Sequence, residues 1–308
     1  MHWRPAYCIL FALLAVLPVG QAQAETLVNP LVDTDWLQRN RQAVKVIDTR
    51  GDTKSFELSH VSGAVLIPFS NVRANSVEDG VPLQDMHLSP EAFDGLMRSA
   101  GINSGDAVVI THPGTGPSDL AIAAYLYWQM KYYGHDDVAL LDGGTAKWMK
   151  ENRPVESGSQ PVPPGSFTVH TVQRKLLATT ADTKHAYDTK SADLLDARPM
   201  SQFLGMDKRN YVDAYGHIPG AKVLPFDAFT GMAMGPGATF LPKSAVLRAM
   251  STLGISRDRP VITYCNTGHM ASVNWFVLSE LLGFENVALF DGSMHSWAKQ
   301  KLPTSMVP

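Results

Sequence analysis

The sequence contains two copies of one pattern. Four short blocks follow one another in the same order in each copy, at 44–50, 59–69, 106–116 and 138–148 in the first and at 192–199, 216–226, 259–268 and 287–297 in the second. In the last block of each copy a tryptophan follows an aspartate at the same interval, as Asp142 to Trp148 and Asp291 to Trp297. The repeat predicts two domains of one fold, because each copy is long enough to form its own core.

Each copy alternates short runs of Val, Ile and Leu with longer helical patterns. The runs at 108–110 and 261–263 predict buried strands, and the stretches 120–133 and 271–282 have the length and apolar spacing of helices. This alternation predicts the α/β class, with two tandem domains that each hold a mostly parallel sheet covered by helices on both faces. In such sheets, functional sites form at the carboxyl ends of the strands.

A stretch rich in proline and glycine separates the two copies and sets the domain boundaries. It contains Pro154, Pro161, Pro163 and Pro164, which cannot donate backbone hydrogen bonds. We therefore expect a first domain at 25–151, a linker at 152–174 and a second domain at 175–308.

The first residues predict export from the cytoplasm. Arg4 precedes a short apolar stretch that ends in small residues at Ala22 and Ala24, the pattern of a secretory signal that is cleaved after residue 24. An uncleaved membrane anchor is the alternative. We expect a periplasmic or secreted protein with signal peptide 1–24 and no membrane contact after cleavage, since no later segment has enough consecutive apolar residues to span a bilayer.

The charge pattern argues against a nucleic-acid partner. The 308 residues carry a net charge of −3, and lysine and arginine are scattered along the chain instead of clustered. The histidines show no ligand-like pairing with acidic or cysteine neighbours, so we expect no metal and no cofactor. The remaining expectation is a small-molecule substrate.

Cys265 is the one thiol left after signal cleavage, because Cys8 lies in the predicted signal. It comes directly after the predicted strand at 261–263 and before a polar loop and a helix. It is either an inert buried side chain or a reactive one. Backbone amides of the loop and the start of the helix at Ala271 would have to lower the thiol pKa by about two units, which needs roughly 2.7 kcal/mol. Gly268 allows the turn, and His269 could add a donor or a charge.

The spacing around the cysteine excludes two familiar chemistries. A cysteine-dependent phosphatase needs an arginine six residues after its cysteine, and Ala271 stands there. Such enzymes also carry a histidine before the cysteine, where this chain has Tyr264. A papain-like protease has its cysteine near the mature N-terminus, so that class is excluded as well.

Taken together, the strand ends at 48–50 and 196–198, the turns at 59–64 and 216–221, the cysteine loop and the two DG-to-Trp blocks resemble the rhodanese superfamily of sulfurtransferases. The tandem arrangement is similar to that of thiosulfate and 3-mercaptopyruvate sulfurtransferases, whose first domain is inactive. The resemblance implies that Cys265 carries a persulfide. It also implies a cradle formed by Asn266, Thr267, Gly268, His269, Met270 and Ala271, and that Asp196 and Arg198 brace this loop.

The first domain should not carry out the same reaction. Aligning the two strands by their letters places Pro113 opposite Cys265, and no thiol occurs between His112 and Ser118. We expect this domain to act as a scaffold and as one wall of a cleft between the domains.

For the sulfur donor, we expect thiosulfate in preference to 3-mercaptopyruvate, with cyanide, a thiol or a protein as acceptor. A sulfur or selenium carrier without turnover of its own, or a thiol-sensing module, is the alternative. The loop has little positive charge, and the position four residues after Arg198 is Gln202. The second copy also holds an insertion at 205–216, in which Lys208 or Arg209 could replace the missing charge.

Overall fold

The computed structural model describes residues 1, 27, 29–231 and 235–306. The predicted signal peptide lies outside the described residues, apart from Met1. In the first domain the elements are β1 (Leu31–Val32), α1 (Thr34–Asn40), β2 (Lys45–Asp48), α2 (Thr53–Leu58), β3 (His60–Val61), β4 (Ala64–Leu66), β5 (Ala74–Glu78), β6 (Val81–Met86), α3 (Pro90–Ser99), β7 (Val108–Thr111), α4 (Pro117–Tyr132), β8 (Val138–Leu141), α5 (Gly144–Lys150) and β9 (Val155–Glu156).

The second domain follows with the same alternation. Its elements are β10 (Leu177–Ala178), α6 (Thr180–Thr189), β11 (Asp193–Asp196), α7 (Met200–Phe203), β12 (Lys222–Val223), α8 (Lys243–Thr252), β13 (Val261–Tyr264), α9 (Ala271–Phe276), β14 (Val287–Phe290) and α10 (Ser293–Lys299). A short 3₁₀ helix follows the second block of each copy, at Phe69–Val72 and at Phe226–Phe229.

Each domain is built on a five-stranded sheet in which neighbouring strands run parallel. The strand order is β1-β8-β7-β2-β4 in the first domain and β10-β14-β13-β11-β12 in the second. The central strands β7 and β13 are buried over their whole length, as expected for strands covered on both faces. The two equivalent sheets confirm the predicted tandem α/β fold.

The strand register corrects one part of the sequence alignment. Asp48 pairs with Thr111 in the first sheet, and the equivalent Asp196 pairs with Tyr264 in the second. The residue that follows Thr111 is His112, so His112 and not Pro113 lies opposite Cys265. Aligning by letters matched the two threonines, whereas the register is set by hydrogen bonds between strands. The absence of a thiol from this loop is unaffected.

The two domains pack through α4 and α9, and one apolar core includes residues from both. The α4 helix is buried on nearly all sides because it lies between its own sheet and the second domain. Its Tyr127 hydroxyl donates to Glu280 Oε2 at 2.7 Å. The β5–β6 hairpin also reaches the second domain, where Glu78 Oε1 accepts from the Thr180 amide at 2.7 Å. These contacts bring residues of both domains to one cleft.

Residues of the predicted linker form backbone hydrogen bonds with the first domain. Strand β9 pairs antiparallel with β3, and the Gly165 amide donates to the Arg98 carbonyl at 2.8 Å. Phe167 is buried in the shared core, and its amide donates to Ile102 O at 3.1 Å. In the described ranges, each helix is either too short or too polar to cross a bilayer.

Candidate functional site

Cys265 directly follows β13, as the sequence predicted, and only 2% of its surface is exposed to solvent. The loop after it turns back toward the sulfur and continues into α9, which begins at Ala271. Gly268 takes the left-handed conformation with φ of +71°. A Cβ atom at this position would lie 2.2 Å from Asp291 Oδ1, so the turn requires glycine both for its backbone and for its space.

Ser293 supports the loop through hydrogen bonds of its side chain, a role that the sequence did not predict. Its Oγ accepts the amide of Cys265 at 3.0 Å and that of Gly268 at 3.1 Å, and it donates to the Phe290 carbonyl at 2.6 Å. Ser293 itself has a φ of +49°, which is unfavourable for a residue with a side chain. The first copy has Gly144 at the equivalent place, with φ of +61°. The serine therefore adopts an unfavourable backbone conformation, and its side chain makes two hydrogen bonds to the loop that a glycine could not make.

Asp291 joins the two domains directly beneath the loop. Its Oδ1 accepts the hydroxyl of Tyr125 at 2.7 Å, and its Oδ2 lies 2.8 Å from both the backbone amide and the ring Nδ1 of His87. Tyr125 and His87 both belong to the first domain. The carboxylate is fully buried, and three donors compensate for its lost hydration. The first domain thus fixes the base of the second domain's loop.

The protonation of Cys265 differs from our expectation. Burial raises the pKa of the thiol, while the backbone amides of Ala271, Thr267, Met270 and Asn266 act in the opposite direction. The prediction of a lowered pKa was wrong because it counted the amides and not the loss of solvent. The cradle itself is present, since four amides of the loop and helix start face the sulfur.

His269 does not supply a positive charge to the site. Burial, with the positive charge of Arg73 added, lowers the pKa of His269 to about 3. The imidazole packs against the ring of Phe69 with their centroids 4.5 Å apart, and its buried Nε2 has no partner among the described residues. A neutral imidazole can donate a hydrogen bond to a ligand or accept one from it. With this pKa the imidazole is uncharged near neutral pH.

Among the described residues, no hydrogen bond or ion pair joins the side chains of Asp196 and Arg198 to the loop. The Arg198 guanidinium donates to both carboxylate oxygens of Asp196, and its Nη2 donates to the Gly216 carbonyl at 2.8 Å. Arg50 makes the equivalent bonds to Asp48 and to the Ser59 carbonyl in the first domain. Because the pair also occurs in the copy without a thiol, it serves the fold by tying the strand end to the following turn.

An open cavity of about 260 Å³ is lined by Cys265 and its loop. Arg73 of the first domain and Arg209 of the insertion both line it. The remaining lining residues are Asn210, Tyr211, Cys265, Asn266, Thr267, His269 and Met270. None of these lining residues is acidic. Lys208 does not line the cavity, since its Nζ donates to the Val212 carbonyl at 2.8 Å.

Arg73 was not among the predicted site residues, because it is 194 residues from the loop residue that it contacts. Tyr125, Asp291 and Ser293 were also missed as site residues. Only Ser293 left a signal in the sequence, because it replaces the second glycine of the first copy's "DGG". In the described part of the chain, no three His, Cys, Asp or Glu side chains are grouped closely enough to hold a metal ion.

The thiol directly follows a strand, is faced by backbone amides and lies in a protein of two equivalent, packed α/β domains. These features define the class as a tandem α/β protein with a cysteine-loop site. The comparison with family models then identifies the family. The Rhodanese-like domain model matches the chain twice, at 33–151 and at 179–300. The chain belongs to the rhodanese superfamily and is a sulfurtransferase.

Individual relatives differ in the function that their names state. The sulfur carrier protein TtuD of Thermus thermophilus is 30% identical over 292 residues, which are 91% of this chain and 95% of the relative. A Mycolicibacterium smegmatis protein named "Putative thiosulfate sulfurtransferase" is 31% identical over 271 residues, covering 85% and 92%. Among solved structures, the 3-mercaptopyruvate sulfurtransferase SseA of Escherichia coli matches with a TM-score of 0.73 and 25% identity, covering 86% of this chain and 98% of SseA.

Proposed function

We propose that this protein transfers the outer sulfur of thiosulfate to cyanide or to a thiol through a persulfide on Cys265. The observation that carries the proposal is the cavity over the sulfur, which has two guanidinium groups and no carboxylate among its lining residues. Such a lining favours a small dianion over a neutral donor. The name of the Mycolicibacterium smegmatis relative supports the same donor.

The proposed reaction has two steps, both at Cys265. The thiolate attacks the outer sulfur of thiosulfate, a new S–S bond forms, and the bond to the sulfonyl sulfur breaks so that sulfite leaves with its electron pair. The thiol proton passes to solvent when the thiolate forms. Cyanide then attacks the outer sulfur, thiocyanate leaves, and the thiolate is regenerated. The loop amides face the sulfur and stabilise its negative charge in both steps.

Mercaptopyruvate is the alternative donor, and the likeness to SseA supports it. Its carboxylate would also be attracted to the two arginines, but it carries one negative charge where thiosulfate carries two. A sulfur carrier without turnover is a second candidate, which the likeness to TtuD supports. A carrier would load its cysteine and release the sulfur only to a dedicated partner protein.

Intact-mass measurement tests these candidates. Thiosulfate should add about 32 Da, the mass of one sulfur atom, to the wild-type protein and nothing to Cys265→Ser. Removal of the added mass by cyanide supports the enzyme, and its persistence supports the carrier. Steady-state rates with thiosulfate and mercaptopyruvate side by side then identify the donor. Full sulfur transfer by Cys265→Ser would overturn the proposal.

We also propose that the protein acts in the periplasm or outside the cell. The support is the apolar stretch with small residues at Ala22 and Ala24. The mass of the protein recovered from its natural host should correspond to a chain that begins at Glu25. A full-length chain retained in the cytoplasm would contradict this assignment.

A further inference from the structure

We propose that Arg73, from the domain without a thiol, is a positioning and anion-binding residue of the sulfur site in the other domain. It holds the cysteine loop through Thr267 and supplies positive charge that the loop itself lacks. The proposal deepens the function given above, because an anionic donor is what such a charge would attract. It gives the first domain a direct part in sulfur transfer.

The contacts of Arg73 reach across the domain boundary to the loop. Its Nη2 donates to the Thr267 hydroxyl at 2.7 Å and to the Thr267 carbonyl at 3.0 Å. Thr267 is buried and lies two residues after Cys265, and its backbone amide is one of the four that face the sulfur. A shift of Arg73 would therefore be transmitted to the amides that stabilise the sulfur anion.

The position of Arg73 is itself fixed from three sides. Its Nε and Nη2 donate to the Asp85 carbonyl at the end of the β5–β6 hairpin, at 2.9 and 2.5 Å. The guanidinium also lies over the rings of Phe69, at 5.2 Å, and Tyr125, at 5.5 Å. A guanidinium held by hydrogen-bond acceptors and by two aromatic faces loses little further freedom when it binds a ligand.

The charge of Arg73 is left available to the cavity. None of the ion pairs within the described ranges includes this residue, and its hydrogen bonds there all go to carbonyl or hydroxyl oxygens. Its Nη1 has no protein partner in the same part of the chain. The neighbouring His269 is neutral, so the cysteine loop itself contributes no cation to the cavity.

The repeat shows that this arginine is specific to the active side. Arg73 directly follows the 3₁₀ helix Phe69–Val72, and Thr230 directly follows the equivalent helix Phe226–Phe229 with a similar extended backbone. Each of these residues lines the cavity over the other domain's loop. Thr230 faces the loop of the first domain at His112, and Arg73 faces the loop with the thiol. Among the described lining residues of the two cavities, an arginine is therefore found beside the loop with the thiol and none beside the other loop.

Alkylation of Cys265 by two matched reagents tests the proposal. Iodoacetate and iodoacetamide have the same reacting carbon and similar size, but only iodoacetate is an anion. The ratio of their rates therefore reports the local positive charge and cancels any change in the thiolate fraction. The full chain is used, and peptide mapping assigns the label to Cys265. Arg73→Met should lower the iodoacetate-to-iodoacetamide ratio about fivefold or more.

Two further variants complete the design. Arg73→Lys keeps the charge, so its ratio should remain near that of the wild type. Arg41→Met is the matched control, because Arg41 in the first domain also donates to a backbone carbonyl, that of Ser62, but does not line the cavity. It should leave the ratio unchanged. If Arg73→Met is unstable, Arg73→Gln provides the same comparison with a polar side chain.

The outcomes separate this proposal from the proposed function. Persulfide formation from thiosulfate together with an unchanged ratio in Arg73→Met and Arg73→Gln would overturn the role of Arg73 and leave the function intact. A lowered ratio without persulfide formation would support the anion site and reject thiosulfate as donor. When both hold, the KM for thiosulfate should rise in Arg73→Met about tenfold, and added guanidinium chloride should restore part of the loss.

Discussion

Replacing Gly268 with alanine should destabilise the second domain by about 3 kcal/mol and abolish most sulfur transfer. The glycine has a φ of +71°, where a residue with a Cβ atom costs about 1 to 2 kcal/mol. The reduced freedom of the unfolded chain returns about 0.4 to 1 kcal/mol of this cost. The conformational part of the substitution is therefore on the order of 1 kcal/mol.

The larger part comes from Asp291. The new Cβ atom would lie 2.2 Å from Asp291 Oδ1 and 3.1 Å from its Cα, so the carboxylate and its backbone must move. Oδ1 is the acceptor of the Tyr125 hydroxyl, and a lost hydrogen bond to a charged group costs about 1.5 to 3 kcal/mol. The same movement displaces the Gly268 amide from Ser293 Oγ, which removes one support of the cradle.

Gly283→Ala is the matched control in the same domain. Gly283 has a φ of +70°, and a Cβ atom there would meet nothing within 4 Å. It should therefore cost only the conformational part, on the order of 1 kcal/mol. Urea unfolding of both variants gives the difference, expected at about 2 kcal/mol. Equal destabilisation of the two variants, or normal transfer by Gly268→Ala, would refute the reasoning.

Two further predictions concern the insertion and the first domain. Arg209→Gln should raise the KM for thiosulfate, because Arg209 borders the cavity. Lys208→Gln should leave the KM unchanged, because the Lys208 Nζ is bonded to the Val212 carbonyl. Steady-state kinetics distinguishes the two variants, and equal KM values would count against Arg209. Burial raises the pKa of Asp142, which accepts the Phe240 amide at 3.0 Å, to about 6. Its folded pKa exceeds the unfolded one near 4, so the wild type should lose stability relative to Asp142→Asn as pH rises from 4 to 6. A difference in melting temperature that is constant across this range would contradict the assignment.

The fold could be predicted because its signals are local and occur twice. A run of β-branched residues such as 261–263 specifies a strand, and the helical spacing after it specifies the crossover that makes the next strand parallel. The repeat then confirms each element against its copy. The register could not be predicted in the same way, since the letters favoured Pro113 opposite Cys265 while the pairing of Asp48 with Thr111 places His112 there.

Only those residues of the site that are close together in the sequence could be predicted. Cys265 and Gly268 are adjacent in sequence, so their loop was visible in the letters. Ser293 and Arg73 reach the same loop from distant elements, and nothing in a single sequence specifies how two domains face each other. The thiol pKa was mispredicted for the same reason, because burial of Cys265 depends on packing around the loop and not on the loop alone.

Each domain contacts the loop of the other domain, and the two contacts differ in the cavity and the charge that they leave at the loop. Each covers the other's loop with the segment after its 3₁₀ helix. Over the first domain's loop the cover lies close, since the Gly237 amide donates to the Gly114 carbonyl at 2.8 Å, and the buried His112 occupies the position equivalent to the cysteine. Over the second domain's loop the cavity is larger, and Arg73 lines it and adds a positive charge. The first domain has no thiol in this loop, yet the cover that it provides brings Arg73 to the cavity at Cys265, and we propose that it takes part in sulfur transfer in this way.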